Sequence, residues 1–101
     1  MPIFVRLETL DHKKLDQEVP PRELLNRLLP FGDSSFPLLG AVDPYGNTIF
    51  KGLQIPQLMA EWERSKAHLK DEDDRAFSLR LRNMAERCMA EPHTFLRFIG
   101  D

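Results

Sequence analysis

Apolar and polar residues alternate along the start of the chain, which is the period of a half-buried β-strand. Ile3, Val5 and Leu7 occupy every second position, and the alternation resumes at Leu15 after a polar stretch. Because two alternating runs flank a polar connection, the pattern predicts a β-hairpin over residues 2–19.

The next segment changes to helical spacing. Two prolines precede the run RELLNRLL, and proline is tolerated in the first turn of a helix because its missing N–H would be unpaired there. The four leucines of this run recur at helical intervals and predict a short helix over residues 22–29. Pro30 and Gly32 then end the helix, and a loop is expected over residues 31–37.

The stretch VDPYGNTIF carries a turn signature between two apolar runs. Asp43 stands at the first turn position, Pro44 presets φ at about −65° at the second, and Gly46 tolerates positive φ at the fourth. We expect a type I turn that joins two strands, and therefore a second hairpin over residues 38–51.

Two longer helices and a last strand are predicted for the second half of the chain. Apolar residues recur at about 100° per residue from Ile55 to Leu69, which predicts a helix over residues 55–70. The acidic run DEDD favours the start of another helix, over residues 72–90, because carboxylates interact well with the helix N-terminus. The apolar run TFLRFI is expected to be a buried last strand beside the first one.

These elements predict one α+β domain over residues 1–101, with a mostly antiparallel sheet and helices packed on one face. The predicted element order is β-β-α-β-β-α-α-β.

Composition narrows the classes of protein. The chain is 42% hydrophobic and 30% charged, as an ordinary globular domain is. Its 14 basic and 16 acidic residues give a net charge of −2, which offers no electrostatic case for a nucleic-acid partner. A single cysteine, no signal-peptide pattern and no long apolar run predict a cytoplasmic protein without a membrane partner.

Cys88 and His93 are the candidates for nucleophilic chemistry, because a cysteine nucleophile needs a base within hydrogen-bond reach. Cys88 also lies on the apolar stripe of its predicted helix, where a free cysteine commonly packs as a small hydrophobe. An alternative site would bring both residues together with Asp101 near the end of the sheet. The three histidines form no paired metal motif, so neither a metal nor another cofactor is expected.

Four residues are the candidates for binding. Arg75 and Arg82 fall on the same side of their predicted helix, where they either form a solvated face or contact an acidic partner. Tyr45 occupies a turn position that normally faces water, so its ring either folds back over the turn or is offered to a partner beside Asp43.

The segments SFPLLGAVDPYGNTIFKGLQIPQLMAEWE and AERCMAEPHTFLRFIGD resemble a family of small bacterial proteins of uncharacterised activity. The resemblance covers residues 35–101 and implies a bacterial, cytoplasmic origin without implying an activity. The residues that carry it are Asp43, Pro44, Tyr45, Gly46, Phe50, Cys88, Pro92, His93, Gly100 and Asp101.

The sequence therefore favours a non-catalytic protein that binds another protein, as a small inhibitor, an immunity-type protein or an adaptor. The alternative is a small ligand-binding domain or enzyme with its site near Cys88 and His93. A homodimer in which exposed sheet edges pair is a further expectation.

Overall fold

Residues 3–100, the part of the chain that the computed structural model describes, form four strands and three helices. The strands are β1 (Phe4–Thr9), β2 (Lys14–Glu18), β3 (Asn47–Lys51) and β4 (Thr94–Ile99). The helices are α1 (Leu24–Leu28), α2 (Ile55–Ser65) and α3 (Glu72–Ala90). Short 3₁₀ turns cover Pro21–Glu23, Leu39–Ala41, Gly52–Gln54 and Lys66–His68.

The four strands form one antiparallel sheet in the order β2-β1-β4-β3. Val5 pairs with Phe98 and Leu7 with Leu96, so the last strand lies beside the first, as predicted. Every residue of β4 is buried or half-buried, because this strand is central and has a neighbour on each side.

The hydrophobic core lies on one face of the sheet, between the strands and the helices. Ile3, Val5 and Leu7 contribute to it from the start of the chain, and Leu96 and Phe98 from β4. All three helices add buried residues to the same cluster, which confirms the α+β class with helices on one face. No helix in the described part of the chain combines the length and the hydropathy that a bilayer crossing requires.

The predicted second hairpin is wrong. Residues 38–42 form no strand, and Leu39–Ala41 is a 3₁₀ turn instead. The backbone amides of Leu38 and Leu39 donate to the Glu61 carboxylate at 3.0 and 2.9 Å, so they are not available to a strand ladder. β3 consequently has β4 as its only sheet neighbour among the described strands.

The helix predictions were accurate to within a few residues. α3 begins and ends where the sequence predicted. Its first turn is capped by the Asp71 side chain, which accepts from Asp74 N at 3.0 Å. The helix predicted for residues 55–70 ends earlier, at Ser65, and continues as a 3₁₀ turn. The helix predicted for residues 22–29 is reduced to α1 with a 3₁₀ turn before it.

Candidate functional site

A cleft of about 390 Å³ opens between α2 and α3. Its volume falls within the roughly 300–1,000 Å³ of typical ligand pockets. Both arginines that the sequence singled out, Arg75 and Arg82, stand on its wall. The lining residues are Trp62, Glu63, Leu69, Arg75, Ser78, Leu79 and Arg82.

The floor of the cleft is apolar and held in place. Trp62 is buried between the helices, and its indole Nε1 donates a hydrogen bond to Ser78 Oγ at 2.8 Å. The indole also meets the Phe77 ring edge to face, with centroids 6.4 Å apart. Because these contacts leave the ring little freedom, the floor is preorganised rather than formed on binding.

The rim of the cleft combines apolar surface with positive charge. Arg75, Leu79 and Arg82 follow one another at helical spacing on α3, and Leu79 is 60% exposed. Arg82 is already paired, at 3.5 Å with Glu63 and at 3.8 Å with Glu86. Arg75 has no ion pair with any residue in the described range 3–100. The rim therefore offers one uncompensated cation beside an exposed leucine.

The turn that carries Tyr45 forms a separate and well-ordered feature. Asp43 Oδ1 accepts from Tyr45 N at 2.8 Å, and Asp43 O accepts from Gly46 N at 3.4 Å. The Tyr45 ring does not fold back, since 82% of the residue is exposed. Neither Asp43 nor Tyr45 lines the α2–α3 cleft, so the structure does not join the four predicted binding residues into one site.

Two glycines fix the position of this turn against the end of β4. Gly100 N donates to Gly46 O at 2.7 Å. A Cβ atom on Gly100 would lie 2.4 Å from Pro44 O, closer than a side chain tolerates. Gly46 does not use the positive φ that the turn signature allows, but a Cβ there would lie 2.7 Å from Asp43 Oδ2. Glycine is needed at position 100, where the neighbouring atoms belong to the backbone, whereas at position 46 the Asp43 side chain could move aside.

Cys88 and His93 both line a second groove, of about 520 Å³, beyond the C-terminal end of α3. Cys88 is buried, and Thr94 Oγ1 donates to its Sγ at 3.6 Å. No hydrogen bond joins the Cys88 thiol to the His93 ring among the contacts of residues 3–100. Asp101, the third member of this alternative site, lies outside the described residues.

Burial raises the pKa of the Cys88 thiol, and this effect outweighs the opposing one of the Thr94 hydrogen bond. Since the thiolate is the nucleophile, Cys88 should react at least about tenfold more slowly with iodoacetamide in the folded protein than in urea. The rate can be followed by mass spectrometry of the alkylated chain. Equal labelling would show that the fold does not protect Cys88, and faster labelling of the folded protein would show an activated thiol and support the enzymatic alternative.

The exposed apolar side chains around the second groove were missed by the sequence analysis. Leu53 is fully exposed on its 3₁₀ turn, and Leu10 and Met89 also stand out into solvent. A signal was present, because Leu10 and Leu53 lie in turns and Met89 lies off the buried stripe of α3. Apolar residues that belong to no periodic pattern are candidates for surface contacts.

A buried acid on the helix-free face of the sheet was also missed. The Glu8 carboxylate lies 3.3 Å from Arg6 Nη1, 3.0 Å from Arg97 Nη2 and 3.6 Å from His12 Nδ1. His12 also contacts Arg97 at 2.9 Å, so this cluster holds the β1–β2 turn against the sheet. The single carboxylate lies between two guanidinium groups, and Gln17 Oε1 also accepts from Arg6 Nε at 3.2 Å, so the cluster links β1, β2 and β4 on this face.

Comparison of the chain with protein-family models, with curated proteins and with solved structures gave no match. The resemblance of residues 35–101 to small bacterial proteins therefore stays a prediction. Any functional assignment rests on the geometry of residues 3–100.

Proposed function

We propose that this chain is a non-catalytic protein that binds another protein, in the manner of a small inhibitor, immunity-type protein or adaptor. The α2–α3 cleft is the surface that receives the partner. One observation carries this proposal. Leu79, on the wall of the cleft, is 60% exposed, and it lies beside the Arg75 guanidinium, which has no ion-pair partner among residues 3–100. An exposed leucine next to an uncompensated cation is suited to a partner that carries an apolar side chain and a carboxylate.

The spacing of the rim favours a peptide segment over a small ion. Arg75 and Arg82 stand seven residues apart, which is about 10 Å along a helix. Of the two, only Arg75 is free of ion pairs among residues 3–100, so a small anion would find a single available guanidinium, whereas an extended or helical segment can lie along the whole stripe. Since Glu63 and Glu86 already pair with Arg82, we expect a carboxylate of the partner to bind Arg75 more strongly than Arg82.

The alternative function is a small ligand-binding domain or enzyme with its site at Cys88 and His93. The second groove supports it, because its volume of about 520 Å³ would admit a small ligand. The raised pKa of the buried Cys88 thiol counts against an enzyme there, because it keeps the sulfur protonated. The alkylation rate described above distinguishes an enzymatic site from a structural cysteine.

The proposal can be tested with peptides displayed on phage and selected on the immobilised protein. We expect enrichment of peptides that combine a large apolar residue with Asp or Glu a few positions away. Leu79→Asp and Arg75→Glu should each weaken the selected peptides about 30-fold or more, as loss of a central anchor does. Isothermal calorimetry of the purified variants measures this, and circular dichroism verifies that each variant is folded.

Arg87→Glu is the matched control, because Arg87 lies on the same helix, is exposed, and does not line the cleft. It should leave peptide affinity within about twofold, since surface substitutions away from an anchor have small effects. Selected peptides that bind equally well to Leu79→Asp and Arg75→Glu would contradict the proposal.

A further inference from the structure

The sheet has two edge strands, and β2 is the more strongly protected of the two. A register shift interrupts the pairing of β2 at Leu7 and Glu8 of β1, as a β-bulge does. Gln17 N donates to Asp16 Oδ1 at 2.8 Å, and Pro20 follows the strand closely. Bulges, locally capped amides and proline all discourage another strand from pairing at an edge.

β3 is the less protected edge, because only its last residue, Lys51, carries a charge and a locally capped amide. Gly100 N donates to Gly46 O at 2.7 Å, and strand alternation then directs the backbone groups of Thr48 and Phe50 toward β4. The backbone groups of Asn47, Ile49 and Lys51 therefore point away from the sheet. Lys51 N is satisfied by Gln54 Oε1 at 2.9 Å, in agreement with this assignment. The outward groups of Asn47 and Ile49 meet no hydrogen-bonding partner among residues 3–100.

Exposed apolar side chains are arranged symmetrically along this edge. Ile49, at the centre of β3, is 42% exposed. Tyr45 and Leu53, each four positions from Ile49, are 82% and 100% exposed. They are the two most exposed large hydrophobic residues within the described part of the chain. In a two-fold interface residue i of one copy contacts residue j of the other, so apolar residues at equal distances from the axis along the chain meet one another.

We infer that β3 pairs antiparallel with β3 of a second copy of this chain, about a two-fold axis at Ile49. In this register Ile49 faces Ile49 of the second copy, and Asn47 faces Lys51. The Ile49 and Asn47 amides of each copy gain carbonyl acceptors, while Lys51 N stays with Gln54. The same register brings Tyr45 toward Leu53 of the second copy, so both exposed side chains lose contact with water.

Charge is compatible with this pairing. Lys51 is the only charged residue of β3, and the register places it opposite the neutral Asn47. Like charges directly opposite each other would destabilise a strand pair, and none face each other here. The β3 edge shares no residue with the α2–α3 cleft, so the dimer and the proposed function can be tested independently.

Sedimentation velocity tests the inference on the purified chain. Since a short strand pair buries less than a standard interface, we expect a monomer–dimer equilibrium that shifts with protein concentration. Ile49→Lys should raise the dissociation constant at least about tenfold by placing like charges across the axis. Val19→Lys, which adds the same charge at a residue 56% exposed beyond the β2 edge, should leave the equilibrium unchanged. A wild-type chain that stays monomeric at about 1 mM, where even a millimolar complex is populated, overturns the inference.

A cysteine at the axis tests the register without relying on a charge in the strand. Cα atoms of a hydrogen-bonded antiparallel pair lie about 5.5 Å apart, within the range that a disulfide spans. Ile49→Cys should therefore form a disulfide-linked dimer under mild oxidation, whereas Val19→Cys should remain largely monomeric. The native Cys88 is buried and should not contribute. A dimer in solution that Ile49→Cys fails to cross-link would place the interface elsewhere and overturn the inference.

Discussion

Replacement of Glu61 by alanine should lower the free energy of unfolding by about 3 kcal/mol, although Glu61 lies on a helix and contacts no other charge in the described structure. Its buried carboxylate accepts from Leu38 N at 3.0 Å, Leu39 N at 2.9 Å and Gln57 Nε2 at 3.0 Å. Alanine would remove every one of these acceptors and leave the buried Leu39 amide unsatisfied. An unsatisfied buried amide alone costs about 1–3 kcal/mol.

Urea denaturation followed by circular dichroism measures this loss, and thermal unfolding should show a fall of about 10–20 °C. Glu61→Gln keeps one carbonyl acceptor for the two backbone amides, so it should lie between the wild type and Glu61→Ala. Glu86→Ala removes an exposed acid from α3 and should change stability by less than about 0.5 kcal/mol. Equal stability of Glu61→Ala and the wild type would show that the 3₁₀ turn at residues 39–41 does not depend on this carboxylate.

The Glu61 contacts also explain why one predicted strand does not form. The run LLGAV is apolar and precedes a turn, so its local pattern is that of a strand. The backbone amides of Leu38 and Leu39, at its start, donate to the Glu61 carboxylate, which lies more than 20 residues further along the chain. A contact over such a distance leaves no trace in periodicity. The turn at Asp43 was predicted correctly because its hydrogen bonds are local.

The elements that could be predicted are those whose determinants lie within the segment. α3 has a capping aspartate at Asp71 and a continuous buried stripe, and both are visible in the sequence. The central position of β4 follows from a run that is apolar on both faces. Strand order and the register of β3 depend on tertiary contacts, and they required the structure.

The candidate site was predictable only in part. Helical spacing correctly put Arg75 and Arg82 on one side of α3, and the buried Trp62 lies within the apolar run that predicted α2. The cleft between them depends on how α2 packs against α3, which no local pattern encodes. The sequence did carry a sign of the exposed Leu53, since this apolar residue belongs to no periodic pattern.

Trp62→Ala is expected to cost about 3–5 kcal/mol of unfolding free energy, the range typical of removing a large buried aromatic side chain. Trp62 is fully buried where α2 meets α3, and its loss would leave a void beside the Phe77 ring. Because the same side chain forms the floor of the cleft, this variant should also lose the peptides that the wild type binds. Urea denaturation followed by circular dichroism measures the stability, since the chain has one tryptophan and the variant lacks its fluorescence.

Trp62→Phe separates the packing of the indole ring from its hydrogen bond. Phenylalanine retains much of the apolar contact with Phe77, so Trp62→Phe should keep most of the stability that Trp62→Ala loses. Trp62→Phe still lacks the hydrogen bond to Ser78 Oγ, and this loss should lower the free energy of unfolding by about 1 kcal/mol. A double-mutant cycle with Ser78→Ala isolates that bond, and we expect a coupling energy of about 0.5–1.5 kcal/mol. A coupling near zero would show that the 2.8 Å contact adds nothing to stability, and that burial of the ring alone holds the two helices together at the cleft.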